Sequence, residues 1–140
     1  MRPILTALAA TLLAAAPALA DEAWTSGYGP IIWEADIGET AVLRLDETGS
    51  GSVIHFLVPG LARDVSGGRG TYQGLWIASQ GEVPCLTDMV DPLTGAKSPY
   101  WGSFTLTFLR TEYPSDWAGA FGNCFDAQTD PLVGIDNSAQ

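Results

Sequence analysis

The sequence contains one histidine and two cysteines, and this scarcity argues against most metal and thiol chemistry. Protein zinc sites are built from three or four Cys, His or carboxylate ligands held close together. The two cysteines, Cys85 and Cys124, do not form the Cys-x-x-Cys pair of a redox motif. Acidic residues near the C-terminus match no EF-hand spacing. The sequence therefore predicts neither a metal site nor a redox centre.

Motifs for cofactor binding and nucleophilic catalysis are also missing. The chain has no P-loop and no G-x-G-x-x-G fingerprint ahead of a helix. Ser50 lies between two glycines but lacks the G-x-S-x-G frame of a nucleophile elbow and falls in an expected hairpin loop. His55 lies within an apolar strand, where we expect a hydrogen-bonded structural or edge histidine rather than a general base. These observations predict a non-enzymatic protein that uses no cofactor.

Paired carboxylates are the remaining route to catalysis. Asp88 and Asp91 flank an expected strand end, and Glu112 and Asp116 share an expected turn. A glycosidase that uses two carboxylates needs a deep cleft, for which a chain of this size offers little material. We therefore do not expect these pairs to act in catalysis.

Cationic residues are few, because 6 Lys and Arg stand against 16 Asp and Glu, for a net charge of −10. A chain of this charge repels nucleic acids and anionic membranes. Beyond the first residues, no apolar run approaches the length of a membrane span. The sequence therefore predicts no nucleic-acid partner and no membrane span. The acids are scattered rather than blocked, as is usual for a solvated surface.

Residues 1–20 have the features of a secretory signal peptide. Arg2 precedes a run of small and apolar residues, and the segment ends in Ala18-Leu19-Ala20 before an acidic stretch. The run is too short to hold a chain in a bilayer. We expect export to the periplasm or the extracellular medium, and a single domain over residues 21–140.

Export makes a disulfide the expected state of Cys85 and Cys124. In the chain-entropy model, a bridge that closes a loop of about 40 residues stabilises the fold by roughly 4 kcal/mol. That contribution is a large part of the net stability of a small domain.

The clearest strand signal is the alternation of Phe104, Leu106 and Phe108 with hydroxyl residues, which predicts a half-buried strand. Pro114 and its polar neighbours then predict a turn, and residues 117–125 alternate again, so a hairpin with a wide turn is expected. A first strand, entered through a kink, is expected over residues 24–33, and further strands over residues 41–46, 52–58, 70–78 and 85–90. The polar segment from about residue 130 is expected to be a loose C-terminal tail.

Short strands separated by Gly, Pro, Asn and Asp clusters predict an antiparallel all-β fold. Nearly every connection is short enough for a hairpin between neighbours, which favours a meander closed into a small barrel over the alternative, a β-sandwich. No stretch after residue 20 shows a sustained helical period.

Aromatic residues are the most informative feature of the composition, since the chain has five tryptophans and four tyrosines. Trp and Tyr combine a large contact area with a polar group, which suits the mouths of ligand-binding barrels, although filling a glycine-rich core is the simpler alternative. The predicted ligand-binding residues are Trp76, Tyr100, Trp101, Tyr113 and Trp117.

The run Gly70-Thr71-Tyr72-Gln73-Gly74-Leu75-Trp76 resembles in rhythm the Gly-Tyr-Gly-Trp strands of avidin-like secreted barrels. No biotin-contacting position can be matched to it, so the resemblance assigns no ligand and no family. The sequence predicts an exported binding domain for an unknown small ligand or glycan. The alternative is a protein-interaction module, such as an inhibitor of a secreted hydrolase or an envelope component, that uses the loop over residues 63–69.

Overall fold

The computed structural model describes residues 22–63 and 70–137. These residues form strands and connecting loops, and no helix is found among them. In chain order the strands are β1 (Ala23–Ser26), β2 (Gly29–Ile37), β3 (Thr40–Asp46), β4 (Val53–Pro59), β5 (Thr71–Ala78), β6 (Met89–Val90), β7 (Lys97–Ser98), β8 (Trp101–Phe108), β9 (Trp117–Asn123) and β10 (Asp130–Asp136). The predicted signal peptide lies outside the described residues.

Eight of these strands form a closed antiparallel barrel in the order β1-β10-β9-β8-β5-β4-β3-β2. The predicted all-β barrel is therefore confirmed, and the alternative sandwich is not what the chain forms. The predicted disulfide is also confirmed, since Cys85 and Cys124 are bonded to each other. Closure gives every barrel strand a neighbour on both sides.

The β8–β9 hairpin follows the predicted alternation. Phe104, Leu106 and Phe108 are buried inside the barrel, and the intervening threonines lie on the outer face. β8 pairs with β9 from Gly102 opposite Asn123 to Phe108 opposite Trp117. The wide turn reverses the direction of the chain, so β9 begins at the end of the barrel where β8 stops.

The C-terminal segment differs from the prediction of a loose tail. Asp130–Asp136 form β10, which pairs with β9 on one side and β1 on the other and so closes the barrel. Leu132 is buried, whereas Val133 is partly exposed, which is the alternation of a strand. Pro131 conceals this signal in the sequence because proline cannot donate to a ladder. Pro131 is tolerated because β1 pairs only with the last part of β10, where residues 24 and 25 lie opposite residues 136 and 135.

Two other segments also differ from the predictions. The first expected strand is in fact two strands, β1 and β2, which pair through a tight turn from Ser26 to Gly29. The expected strand over residues 85–90 shrinks to β6, which pairs with β7 in a small separate sheet. The reason lies in the connection between β5 and β8, residues 79–100, where prolines at 84, 92 and 99 withhold the N–H donors of a long strand.

The two ends of the barrel differ in how they are filled. One end of the barrel carries the β2–β3 turn and the β8–β9 turn, and we call it the closed end. There Trp24 and Trp117 meet edge to face at 6.5 Å between ring centroids, and Phe108 meets Tyr113 at 5.5 Å. The open end carries the β1–β2 turn, the β3–β4 loop, the β5–β8 connection and the β9–β10 turn. Large rings therefore fill one end of the barrel interior.

Part of the outer barrel surface is buried beneath the β5–β8 connection. His55, Ile77 and Trp101 are cross-strand neighbours on β4, β5 and β8, and all three are buried although their side chains point away from the barrel interior. This covering explains why the sequence of β4 is apolar on both faces. The same connection returns to the open end, where it contributes to the candidate site.

Candidate ligand-binding site

A cavity of about 560 Å³ opens at the open end of the barrel. Its buried aromatic residues are Phe56 and Trp76, and its half-buried ones are Tyr28, Tyr100 and Phe121. Each of these five residues belongs to a different element or turn, so the site exists only in the folded barrel. The packed closed end limits its depth.

Edge-to-face contacts hold the aromatic groups in place. The ring of Phe121 lies 5.7 Å from that of Tyr28 and 6.1 Å from that of Trp76, with interplanar angles of 77° and 88°. Trp76 Nε1 donates a hydrogen bond of 3.0 Å to the carbonyl oxygen of Gly122. Such pairs stabilise an arrangement beyond the area that they bury, so the cavity wall is largely preformed.

Two glycines allow the rings to approach the backbone. A side chain at Gly102 would clash with the Gly122 carbonyl and come within 2.7 Å of Trp76 Nε1. A side chain at Gly81 would come within 2.6 Å of the Tyr100 ring. Both positions are therefore required to be small if Trp76 and Tyr100 are to occupy their observed places.

Polar groups surround the aromatic part of the cavity. Ser52 Oγ donates a 3.0 Å hydrogen bond to the carbonyl of Gln80 and so ties the start of β4 to the β5–β8 connection. Ser50 Oγ donates to Glu47 Oε2 at 2.5 Å. Glu82 also lines the cavity. Within the described residues, no lysine, arginine or histidine lines it, so its charged groups are carboxylates.

The structure places two of the five predicted ligand-binding residues at this cavity, Trp76 and Tyr100. Trp101 lies on the outer face of the barrel, where its Nε1 donates to the carbonyl of Thr87 at 2.8 Å. Tyr113 and Trp117 lie at the closed end. The five residues therefore do not form one site.

Sequence reasoning missed Tyr28, Phe56 and Phe121 as lining residues. Each lies in a segment with a strand or turn signal, and strand alternation does indicate that Phe56 and Phe121 point inward. Alternation does not indicate at which end of the barrel an inward residue lies. That position depends on the register between strands, such as Phe56 opposite Trp76 and Phe104 opposite Phe121.

A second polar cluster lies on the outer face of the barrel around His55. Its Nδ1 atom is 2.5 Å from Asp91 Oδ2, and its Nε2 atom is 2.9 Å from Glu34 Oε2. The atoms of the second pair are close but do not have hydrogen-bond geometry. Arg44 Nη1 in turn lies 3.3 Å from Glu34 Oε1.

Burial of Asp91 favours its neutral form, but hydrogen bonds favour the carboxylate more strongly. The carboxylate accepts hydrogen bonds from His55 and from the backbone N–H groups of Leu93 and Thr94. The balance lowers the pKa of Asp91 below its usual value of 3.8.

The side chains around His55 make contacts with one another and with the backbone. Both ring nitrogens face carboxylates. The nearby hydroxyls are engaged, because Ser98 Oγ donates to the Ala78 carbonyl at 2.6 Å and Ser79 Oγ accepts from the Val53 N–H at 2.9 Å. The contacts of His55 therefore tie the β5–β8 connection to β4.

The disulfide lies beside the cavity and has exposed apolar neighbours. It joins the β5–β8 connection to the β9–β10 turn, with the two Cα atoms 5.6 Å apart. Leu86 and Phe125, which follow the two cysteines in sequence, are almost fully exposed, and Val83 is 62% exposed. Val83 also lines the cavity.

Comparison with known proteins identifies no matching family model, no matching curated protein and no matching solved structure.

Among residues 22–63 and 70–137, no group of three or more His, Cys, Asp or Glu side chains is placed to hold a metal ion. The same residues include no helix long and apolar enough to cross a bilayer. The geometry of the open-end cavity is therefore the main guide to function.

Proposed function

We propose that this protein is an exported, non-enzymatic binding domain that holds a small ligand in the open-end cavity. The observation that carries the proposal is the cavity of about 560 Å³ with half-buried aromatic walls over a buried aromatic floor. Small-molecule sites typically have volumes of roughly 300–1,000 Å³ and combine apolar walls with a few polar groups.

The chemistry of the wall favours a ligand with an apolar body and a polar end. Phe56 and Trp76 offer apolar contact deep in the cavity, whereas Ser50, Gln80 and Asn123 offer polar groups to the ligand. Burying apolar ligand surface against these rings supplies the free energy of binding. The disulfide is consistent with an oxidising, exported compartment.

Binding of N-phenyl-1-naphthylamine, a neutral apolar fluorescent probe, tests the proposal. We expect its emission to rise and shift to the blue on mixing with the protein, and the Tyr100→Ala variant to bind it several-fold more weakly, because Tyr100 lines the cavity. Tyr113→Ala is the matched control, since Tyr113 lies at the closed end. Near-ultraviolet circular dichroism shows that each variant is folded. Absence of probe binding, or equal loss in both variants, would overturn the proposal.

The exposed residues beside the disulfide favour a second candidate, a protein-interaction module. Leu86 and Phe125 expose nearly their whole side chains, and exposed apolar groups that lie together mark interaction surfaces. An inhibitor of a secreted hydrolase or an envelope component would use such a surface. Of the loop predicted for this role, residues 63–69, only Arg63 is described, and it lies 3.4 Å from Glu39.

Affinity capture from an envelope extract tests this second candidate. The wild-type protein and the double variant Leu86→Ser with Phe125→Ser serve as the two baits. Both residues are exposed, but the Phe125 ring also contacts buried Trp101 edge to face at 5.0 Å between centroids, so circular dichroism checks that the variant is folded. A partner retained by the wild type and lost by the variant supports the candidate, and identical recovery by both baits contradicts it.

A further inference from the structure

We infer that the ligand of the open-end cavity is an organic cation, an amine or quaternary ammonium compound with an apolar body. This inference rests on the proposed function and adds the chemical class of the ligand. Two independent features of the cavity carry it, the sign of its charge and the nature of its walls.

The charged side chains that line the cavity are carboxylates. Glu47 and Glu82 both line it, and among the described residues neither forms an ion pair. Glu47 is half-buried and accepts a hydrogen bond from Ser50, and Glu82 is exposed. A cationic ligand in the cavity would place its charge beside these two carboxylates.

The positive side chains of the described residues lie elsewhere. Arg44 and Lys97 line a separate hollow on the outer face, together with His55. Arg63 pairs with Glu39 next to the β2–β3 turn, and Arg110 lies exposed in the β8–β9 turn, so both are at the closed end. An anionic ligand such as a fatty acid would therefore place its charge near two carboxylates without any described counter-charge. The cavity selects against anions for the same reason that it favours cations.

The aromatic walls of the cavity also favour a cationic ligand. A cation over the face of a Trp or Tyr ring is attracted by the negative charge density of the ring, most strongly where water is excluded. Trp76 and Phe56 are buried, and Tyr28 and Tyr100 are half-buried around the same cavity. A neutral ligand gains the apolar contact of these rings but neither the attraction to their faces nor the attraction to the carboxylates.

The net charge of the whole chain supports the same ligand class. The charge of −10 attracts cations at long range and raises their local concentration. This field is screened by salt, so it affects the rate of association more than the choice of site. The choice of site follows from the cavity itself.

Three ligands that share one body and differ in charge test the inference. They are 4-phenylbutylamine, 4-phenylbutan-1-ol and 4-phenylbutyrate, titrated at neutral pH by calorimetry and by tryptophan fluorescence. We expect the amine to bind about tenfold more tightly than the alcohol, which is the size of one favourable desolvated cation–π or charge contact. We expect the carboxylate to bind most weakly. Added salt should weaken binding of the amine and leave that of the alcohol unchanged.

A pair of double variants assigns the preference to the cavity. Glu47→Gln with Glu82→Gln removes the two lining carboxylates, and we expect it to remove most of the preference for the amine over the alcohol, leaving only the part that the aromatic rings supply. Glu39→Gln with Glu112→Gln is the matched control, because it changes the net charge equally at the closed-end turns. The control should keep the wild-type preference.

The outcomes separate failure of the inference from failure of the proposed function. If none of the three compounds binds and the neutral fluorescent probe does not bind either, the proposed function fails and the inference fails with it. If the alcohol binds as tightly as the amine, or the carboxylate binds best, the cavity is a ligand site but the inference is wrong. A preference of wild-type size in the Glu47 and Glu82 double variant also overturns it, whatever the control shows.

Discussion

The Nδ1 atom of His55 lies 2.5 Å from Oδ2 of Asp91, although the two residues are 36 positions apart in sequence. This contact joins the outer face of β4 to the β5–β8 connection. The same connection supplies Gly81, Glu82 and Tyr100 to the open-end cavity. A polar contact on the outside of the barrel therefore helps to hold one wall of the site inside it.

The first prediction concerns Asp91 and pH. Because the pKa of Asp91 is lower in the folded protein than its usual value of 3.8, the carboxylate stabilises the fold above that value. The contribution is lost as the pH falls through the lowered pKa. Asp91→Asn should therefore reduce the free energy of unfolding at neutral pH by about 1.5–3 kcal/mol, the range for hydrogen bonds to a charged group.

Urea denaturation of the wild type and Asp91→Asn at a series of pH values measures this effect. The other carboxylates are common to both proteins, so their titration cancels in the difference between the two. We expect the difference to shrink as the pH falls below 3.8. A difference that stays constant across the acid range would contradict the assigned role of the carboxylate.

The second prediction concerns the disulfide. Cys85 and Cys124 are 39 positions apart, and a bridge over that separation stabilises the fold by about 4 kcal/mol in the chain-entropy model. Replacement of both cysteines by serine should lower the urea midpoint accordingly. It should also weaken probe binding, because the bridge lies next to cavity residues Val83 and Asn123. Unchanged stability on replacement would show that other contacts hold the connection.

The third prediction concerns the space at Gly102. Gly102→Ala places a methyl group against the Gly122 carbonyl and close to Trp76 Nε1. We expect a loss of roughly 1–3 kcal/mol, as for overpacking in a dense core, together with a shift of the tryptophan emission. Gly70→Ala is the control, since nothing lies within 4 Å of its new methyl group. Equal stability of both variants in urea denaturation would refute the proposed role of Gly102.

The fourth prediction compares two fully buried tryptophans at the closed end. Trp24 Nε1 donates a 2.9 Å hydrogen bond to the carbonyl of Ser115, whereas Trp117 Nε1 has no partner among the described residues. Trp24→Phe should therefore cost about 1 kcal/mol more than Trp117→Phe, because it also leaves a buried carbonyl unpaired. Thermal or urea unfolding of the two variants gives the comparison. The reverse order would show that packing differences dominate.

Much of the fold could be predicted from local sequence patterns, and the site could be predicted only in part. The alternation around Phe104 identified a strand, and its hydroxyl face was assigned correctly to the outside. Trp76 and Tyr100 were predicted as ligand-binding residues and do line the cavity, whereas Trp117 was predicted with them and lies in the closed-end core. Inward alternation is the same for Trp76 and Trp117, so it cannot separate a cavity wall from a core residue.

The β10 strand shows where local reasoning fails. Asp130–Asp136 contain a proline and a glycine and look like a tail, yet they close the barrel because β9 and β1 offer pairing partners on both sides. Intrinsic strand propensity is weak, and the neighbouring strands override it.

The sequence by itself determined the antiparallel all-β class, the pairing of its two cysteines and the inward faces of the main strands. These features depend on the period of two along a strand and on the oxidising compartment expected for an exported chain. Only the tertiary structure decided which inward rings pack the closed end and which surround the cavity. It also decided that Glu47 and Glu82 line the same cavity and that His55 contacts Asp91, because closure of the barrel and strand register bring together residues that are distant in the chain.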